Sequence, residues 1–343
     1  MRYFLQKLGQ FAIVFFIVTF GVMFLIRLGL NAPGDPARTM LAGTADQKLI
    51  DATTKKYHLD RNLFIQYFYW IKGMVTGDMG FSVPNQVTVA RLIKGRVMTT
   101  VLLGVYALIF ALVISVPLAV RQAYKRDSLF DRAGSGLSFL FVSVPGIVLA
   151  PILTLIFINK NPILCNSFLQ DRFLFGHIRL DYCGWFPRVG NKVYPWQDPV
   201  EHFKNFFVPT LVLTLPLAAV FTRLLRGDMV QTLQADFVTL ASAKGVSPAR
   251  VLWVHALRNS LFSLLTSVGT QLGGVVGTAI VVETFFDLDG MGNMLVTALL
   301  SKDLFTVQSA AAILVACVVI VNLLVDLSYA VIDPRIRHAR ALA

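Results

Sequence analysis

The chain has 343 residues, of which 56% are hydrophobic and 15% charged, against roughly 45–50% and about 25% in a soluble domain. That excess excludes an ordinary water-soluble core. The formal charge of +12 is therefore read as cationic loops beside a membrane and its anionic lipids, not as a nucleic-acid surface.

A membrane span takes roughly 20 apolar residues, and six candidate runs meet that length: Leu8–Ile26, Thr99–Val120, Ser135–Ile158, Phe206–Leu225, Leu261–Val282 and Thr306–Ala330. The first follows Arg2 and Lys7, the flank of a signal peptide. It is long for one, however, and "RLGLNAPGDP" offers no small-x-small cleavage site, so an uncleaved span is favoured. The third run is interrupted by "VSVPGIVLAP" and the fourth by Pro209 and Pro216. Both breaks are tolerable where neighbouring helices or a cavity satisfy the freed backbone groups.

Between the first two spans, "TADQKLIDATTKKY" (with Thr44 as an N-cap) and "NLFIQYFYWIKGMV" read as helices. Basic residues gather at the N-terminus (Arg2, Lys7), between spans two and three (Arg121, Lys125, Arg126, Arg132), between four and five (Arg223, Arg226, Lys244, Arg250, Arg258) and at the C-terminus (Arg335, Arg337, Arg340). With six spans these four regions share one face, which the positive-inside rule makes cytoplasmic, both termini included. Residues 159–205 then face the oxidising side. They hold Cys165 and Cys183, which either bridge, the favoured reading, or stay as two thiols. Cys317 lies inside the last run, as a small hydrophobe does.

The chain has no G-x-x-x-x-G-K-[ST] and no H-E-x-x-H, and its His residues are dispersed at 58, 177, 202, 255 and 338. Ionisable residues in the runs sit near their ends (Arg27, Arg121, Glu283, Asp326), where snorkelling explains them and intramembrane catalysis is not needed. No catalytic residue and no metal site is expected. Gly269, Gly273 and Gly277 recur at four-residue spacing in the fifth run. They read as tight helix packing or as a seam beside a passage.

One polar stretch does not fit an oily chain: "DFVTLASAKGVSPARVLWVHALRNSL", Asp236 to Leu261. Met229, Leu233, Phe237 and Leu240 recur at helical spacing and predict an amphipathic helix over Asp228–Ala243. It stops at Gly245, suited to a left-handed C-cap. Ser247–Pro248 then starts a second short helix reaching about Asn259. The pair either rests on lipid headgroups or serves as a docking element for a cytoplasmic partner.

The same stretch resembles the EAA loop of permease subunits in binding-protein-dependent ABC importers, in the dipeptide/oligopeptide/nickel branch. Further segments resemble that branch in order: "NAPGDPA", "YHLDRNLFIQYFYWIKGMVTGDMGFS", "VVETFFDLDGMGNMLVTALLSKD" and "DLSYAVIDPRIR". The resemblance implies an all-α membrane protein with six transmembrane helices in a type I ABC importer permease fold. It divides the chain into an N-terminal span (1–30), an external helical region (31–97), a permease core (98–332) with an external insertion (159–205) and a cytoplasmic loop (228–260), and a tail (333–343). It makes Gly245 the loop glycine and Ala241 the second Ala. Thr239 stands in the Glu position, Leu240 in that of the first Ala, and Arg258 where the broader motif has Pro. The implied ATPase contacts are Asp236, Thr239, Ala241, Lys244, Gly245, Ser247, Pro248, Arg250, His255 and Arg258, and the gate region holds Glu283, Gly290 and Gly292.

The implied partners are a second homologous permease, two cytoplasmic ATPase subunits, an extracytoplasmic substrate-binding protein and membrane lipid, in a bacterial inner membrane. ATP and magnesium would belong to the ATPase subunits, leaving this chain without a cofactor. Peptides are the expected cargo. Nickel chelates, glutathione or another small solute remain alternatives, as does a self-sufficient channel or scaffold.

Overall fold

The computed structural model describes residues 2–29, 37, 46–158 and 193–332. Cys165, Cys183, Thr44 and nearly all of "NAPGDPA" lie outside the described residues, as do 333–343. The chain divides into two compact units, Met1–Thr100 with Asp289–Ala343, and Val101–Leu288.

In the first unit, helix α1 (Arg2–Gly29) packs along the C-terminal helix α12 (Leu304–Ile332). Between them in sequence come α2 (Gln47–Lys56), α3 (Leu63–Thr76), a two-stranded antiparallel ribbon of β1 (Phe81–Ser82) and β2 (Val87–Thr88), α4 (Val89–Ile93) and α11 (Met291–Leu300). Apart from this short ribbon the described elements are all helices, as expected for an all-α chain. Asn62 Oδ1 caps α3 by accepting from Phe64 N at 3.1 Å, and Gly77 ends it in the left-handed region at φ +88°. Aromatic contacts seat α3 on α1: Phe20 stacks on Phe64 at 5.0 Å, and the Tyr67 hydroxyl lies 2.6 Å from Thr19 Oγ1. Burial pushes the Tyr67 phenol above its usual value, so it stays neutral at physiological pH.

The "GDMGFS" segment turns under the start of α12. Gly80 adopts φ +94°, and a Cβ there would sit 2.8 Å from Phe305 Cγ, so both conformation and space require glycine. Ser82 donates to the buried carboxylate of Asp303, which also accepts from Thr306 Oγ1 at 2.7 Å and caps α12 through Thr306 N at 3.3 Å. Arg96 pairs with Asp289, and Thr100 Oγ1 accepts from Met291 N at 2.9 Å at the head of α11.

The second unit is built from α5 (Arg96–Tyr124), α6 (Leu129–Ser143), α7 (Gly146–Phe157), α8 (Pro199–Leu233), α9 (Asp236–Ala243) and α10 (Pro248–Phe285). Its core runs through Leu103, Ala107 and Ala111 of α5, Leu149 and Leu153 of α7, Val212, Phe221 and Leu225 of α8, and Leu264, Val275 and Ala279 of α10. Asp198 caps α8 by accepting from Val200 N and Glu201 N, each at 3.0 Å, with Pro199 at the first helical position. His202 is a packing residue, its ring nitrogens 2.6 Å from the Val193 carbonyl and 3.2 Å from the Tyr106 hydroxyl. Asp131, buried in α6, receives a bidentate pair from Arg226 of α8 at 2.5 and 2.6 Å.

The described residues include five helices long and apolar enough to span a membrane, or six if the bent α6–α7 pair forms one span. The third predicted span is thus not one rod: α6 and α7 meet at 113°. Pro145 disfavours α geometry in the residue before it, and Val144 is extended at φ −87°, ψ 115°. By contrast α8 runs unbroken through Pro209 and Pro216. Each proline removes one helical hydrogen bond, but the helix is buried along most of its apolar length, where neighbouring helices support it.

Candidate functional site

The polar stretch from Asp236 onward lies wholly within the second unit. The expected helix over Asp228–Ala243 is corrected there. Helix α8 carries through to Leu233, the chain opens at Ala235 (φ −75°, ψ 148°), and α9 starts afresh at Asp236. Met229 is a buried residue of α8, whereas Phe237 and Leu240 belong to the new helix and face outward. Asp236 in the first turn places a carboxylate by the positive end of the α9 dipole.

The turn after α9 has a defined hydrogen-bond logic. Lys244 is the C-cap and Gly245 follows at φ +78°. Val246 N donates to the Ala241 carbonyl at 3.2 Å, and Gly245 N to that of Ser242 at 3.0 Å. This double pattern is the Schellman motif, which satisfies carbonyls a helix end leaves open. Ser247 takes the N-cap position with extended geometry but makes no side-chain cap bond; its backbone carbonyl accepts from Val251 N at 3.0 Å. Pro248 opens α10 as expected.

The second helix is not short. From Pro248 the helix continues without interruption to Phe285, so the expected short helix and the fifth span are one element. No Gly or Pro stands between Pro248 and Phe262 to end it. A π-helical turn at Val251–Ala256 adjusts the register, placing Val251, Leu252 and Ala256 inward. Thr232 Oγ1 and Ser260 Oγ, buried and 3.1 Å apart, tie the end of α8 to α10.

The result is a firmly seated loop with an exposed surface. Asp236, Thr239, Lys244, Gly245, Ser247, Pro248, Arg250 and Arg258 are exposed, while Ala241 and His255 are half-buried. The structure therefore brings all ten residues into one largely exposed element. It also adds an apolar component to that surface. Phe237 (44%), Leu240 (58%), Trp253 (48%) and Val254 (49%) keep about half their surface open. Val238 is the buried residue of α9. The opening at Ala235 carries no Gly or Pro that could have signalled the break.

The other candidates fall elsewhere. Glu283 is fully buried near the end of α10, in the second unit. Gly290, the N-cap of α11, and Gly292 in its first turn belong to the first unit. Among the α10 glycines, Gly269 is half-buried, but Gly273 and Gly277 are exposed and a Cβ on either would meet nothing within 4 Å. Packing among the described residues does not account for them. Cys317 is a free, half-buried thiol in α12. Among the described residues no group of three His, Cys, Asp or Glu gathers to hold a metal.

The family model for the binding-protein-dependent transport system inner membrane component matches residues 111–338. The chain belongs to that family. This permease is 33% identical over 355 residues to the dipeptide transport system permease protein DppB of Escherichia coli, covering 99% of this chain and 100% of that protein. It is 30% identical over 336 residues to a probable peptide ABC transporter permease protein of Sinorhizobium fredii, covering 98% and 99%. It is 28% identical over 338 residues to the glutathione transport system permease protein GsiC of Escherichia coli, with the same two coverages. The importer-permease expectation is thereby met for the whole length of the chain, and the enzyme reading is set aside. The permease is a multi-pass membrane component of a transport system.

Proposed function

We propose that this permease subunit carries short peptides across a bacterial inner membrane, paired with a second permease, and that α9, the Gly245 turn and the start of α10 dock into a cytoplasmic ATPase subunit. The observation that carries the docking is the exposed apolar set Phe237, Leu240, Trp253 and Val254 on a turn held by the Schellman pattern. Exposed apolar surface accompanied by Asp236, Lys244, Arg250 and Arg258 is the composition of a protein contact. Orientation follows from the basic loops, which put both termini and this element on the cytoplasmic side. The side-chain-free stripe at Gly273 and Gly277 supplies a face for the second permease or for the passage between them.

ATP bound by the partner subunits would favour one arrangement of these docked helices over the other, shifting a two-state equilibrium of the passage. Peptide cargo is supported by the relatives named for dipeptides and peptides. The relative named for glutathione favours a second reading, in which a γ-linked tripeptide is the cargo. Uptake by reconstituted complex with its binding protein decides between them: dipeptides should compete with labelled alanyl-alanine, and competition by glutathione alone would replace the first reading with the second. The substitution Leu240→Asp should abolish ATPase co-purification. Retention of the ATPase subunits would remove the docking assignment.

A further inference from the structure

The first unit contains a cavity of about 210 Å³ formed by the end of α1, by α2, α3 and the Gly80 turn, and by the start of α12. Aromatic side chains make up much of its wall. Tyr57 packs on Phe305 at 4.3 Å, and His58, held at φ +54°, stacks on Tyr69 at 3.9 Å. Three buried polar atoms on lining residues have no hydrogen-bond partner among the described residues: Gln66 Oε1, Trp70 Nε1 and Gln308 Nε2. Gln66 and Gln308 are each only 7% exposed. Gln66 cannot turn to relieve the deficit, because its Nε2 donates to the carbonyls of Leu59 at 3.0 Å and Arg61 at 2.8 Å.

Unpaired buried polar groups are rare in proteins, and each one asks for a partner. Here they amount to one acceptor and two donors. A peptide unit is their complement: its N–H supplies one donor and its carbonyl oxygen two lone pairs. Two exposed charges of opposite sign, Lys56 and Asp78, also line the cavity. Pockets for drug-sized ligands hold about 300–1,000 Å³, so this smaller space suits one peptide unit and its immediate neighbours.

We propose that this cavity binds a short zwitterionic peptide, its amide between Gln66, Trp70 and Gln308, its carboxylate toward Lys56 and its ammonium toward Asp78. The proposal deepens the peptide-import reading. It gives the permease a peptide site of its own, beside the head of α12 and separate from the α9–α10 element.

The test is equilibrium binding of radiolabelled alanyl-alanine to the purified full transport complex in nanodiscs, without binding protein. The wild-type complex should bind it. Gln308→Leu and Trp70→Phe should each weaken binding about tenfold, as loss of one buried hydrogen bond does, while their melting temperatures stay level or rise because an unpaired polar group is gone. Alanyl-sarcosine, which lacks the amide N–H, should bind about tenfold more weakly than alanyl-alanine. The capped N-acetyl-alanine N′-methylamide, a stand-in for a protein loop, should also bind more weakly. No binding by the wild type, unchanged binding in both variants, or equal binding of the capped compound overturns the proposal. Failure of the cargo reading would instead appear as absence of peptide uptake by wild-type complex supplied with its binding protein.

Discussion

Replacing Gly245 by Val isolates what the turn contributes. A Cβ at this position meets nothing within 4 Å, so the substitution carries no steric clash with the rest of the described chain. The whole cost is conformational. Gly245 sits at φ +78°, where a non-glycine residue loses about 1–2 kcal/mol and a β-branched one falls at the upper end. Because φ is positive, the usual gain from reducing unfolded-state freedom does not offset that loss. A change of that size lowers the population of the intact turn by a factor of roughly 5–30. Asn, which tolerates the left-handed region, should lie close to glycine, with Ala between Asn and Val. The assay is ATP hydrolysed per peptide imported in proteoliposomes, alongside the melting temperature of the complex. The expected order of coupling is Gly, Asn, Ala, Val, with little change in melting, since the turn is exposed and its loss is local. A Gly245→Val complex with the wild-type ratio, or Gly245→Asn as damaging as Gly245→Val, would refute the reasoning.

Gly80→Ala should be worse for stability, because a Cβ there both enters the left-handed region and lies 2.8 Å from Phe305 Cγ; overpacking alone costs about 1–3 kcal/mol, visible as a lower melting temperature that Phe305→Leu partly restores. Breaking the Asp131–Arg226 pair from one side should cost about 3 kcal/mol, the low end for a buried pair, because the Arg226 side chain keeps 26% exposure. The double variant Asp131→Asn with Arg226→Gln should recover part of that loss in the same melting assay. Phe237→Ser should leave melting unchanged but weaken ATPase-subunit binding about 10- to 150-fold, the value of one buried aromatic side chain, measured by titrating ATPase subunits onto the permease pair.

What was legible in the sequence followed from rules that act over a few residues. Gly245 reads as a left-handed stop and Ser247–Pro248 as a start because local sterics alone decide both, and the structure places them so. Pro145 was legible as an interruption, but the 113° turn was not, since a proline disfavours one conformation without choosing the angle that replaces it. Conversely Pro209 and Pro216 suggested breaks that burial overrode. The division at Ala235 was invisible because Gln, Ala and Asp are all acceptable inside a helix, and no Gly or Pro marks it. The need for glycine at position 80 depends on Phe305, more than two hundred residues downstream, and no local pattern reports such a contact.

The continuity of α10 changes what the exposed turn can do. If α10 had ended near Asn259, a push on α9 would be absorbed in a flexible joint before reaching the membrane. As a single helix from Pro248 to Phe285, it carries a displacement at its first residue to Gly273, about 38 Å away at 1.5 Å per residue. The Thr232–Ser260 contact makes α8 share that movement. The π-helical turn at Val251–Ala256 lies between the exposed turn and the apolar length of this helix, and such turns occur often at functional sites. On the docking reading proposed above, force entering at the turn would arrive at the stretch of α10 where a Cβ at Gly273 or Gly277 meets nothing within 4 Å. A helix moves most readily on a face with no interdigitated side chains to separate, so the glycine stripe is where motion entering at Gly245 would be felt.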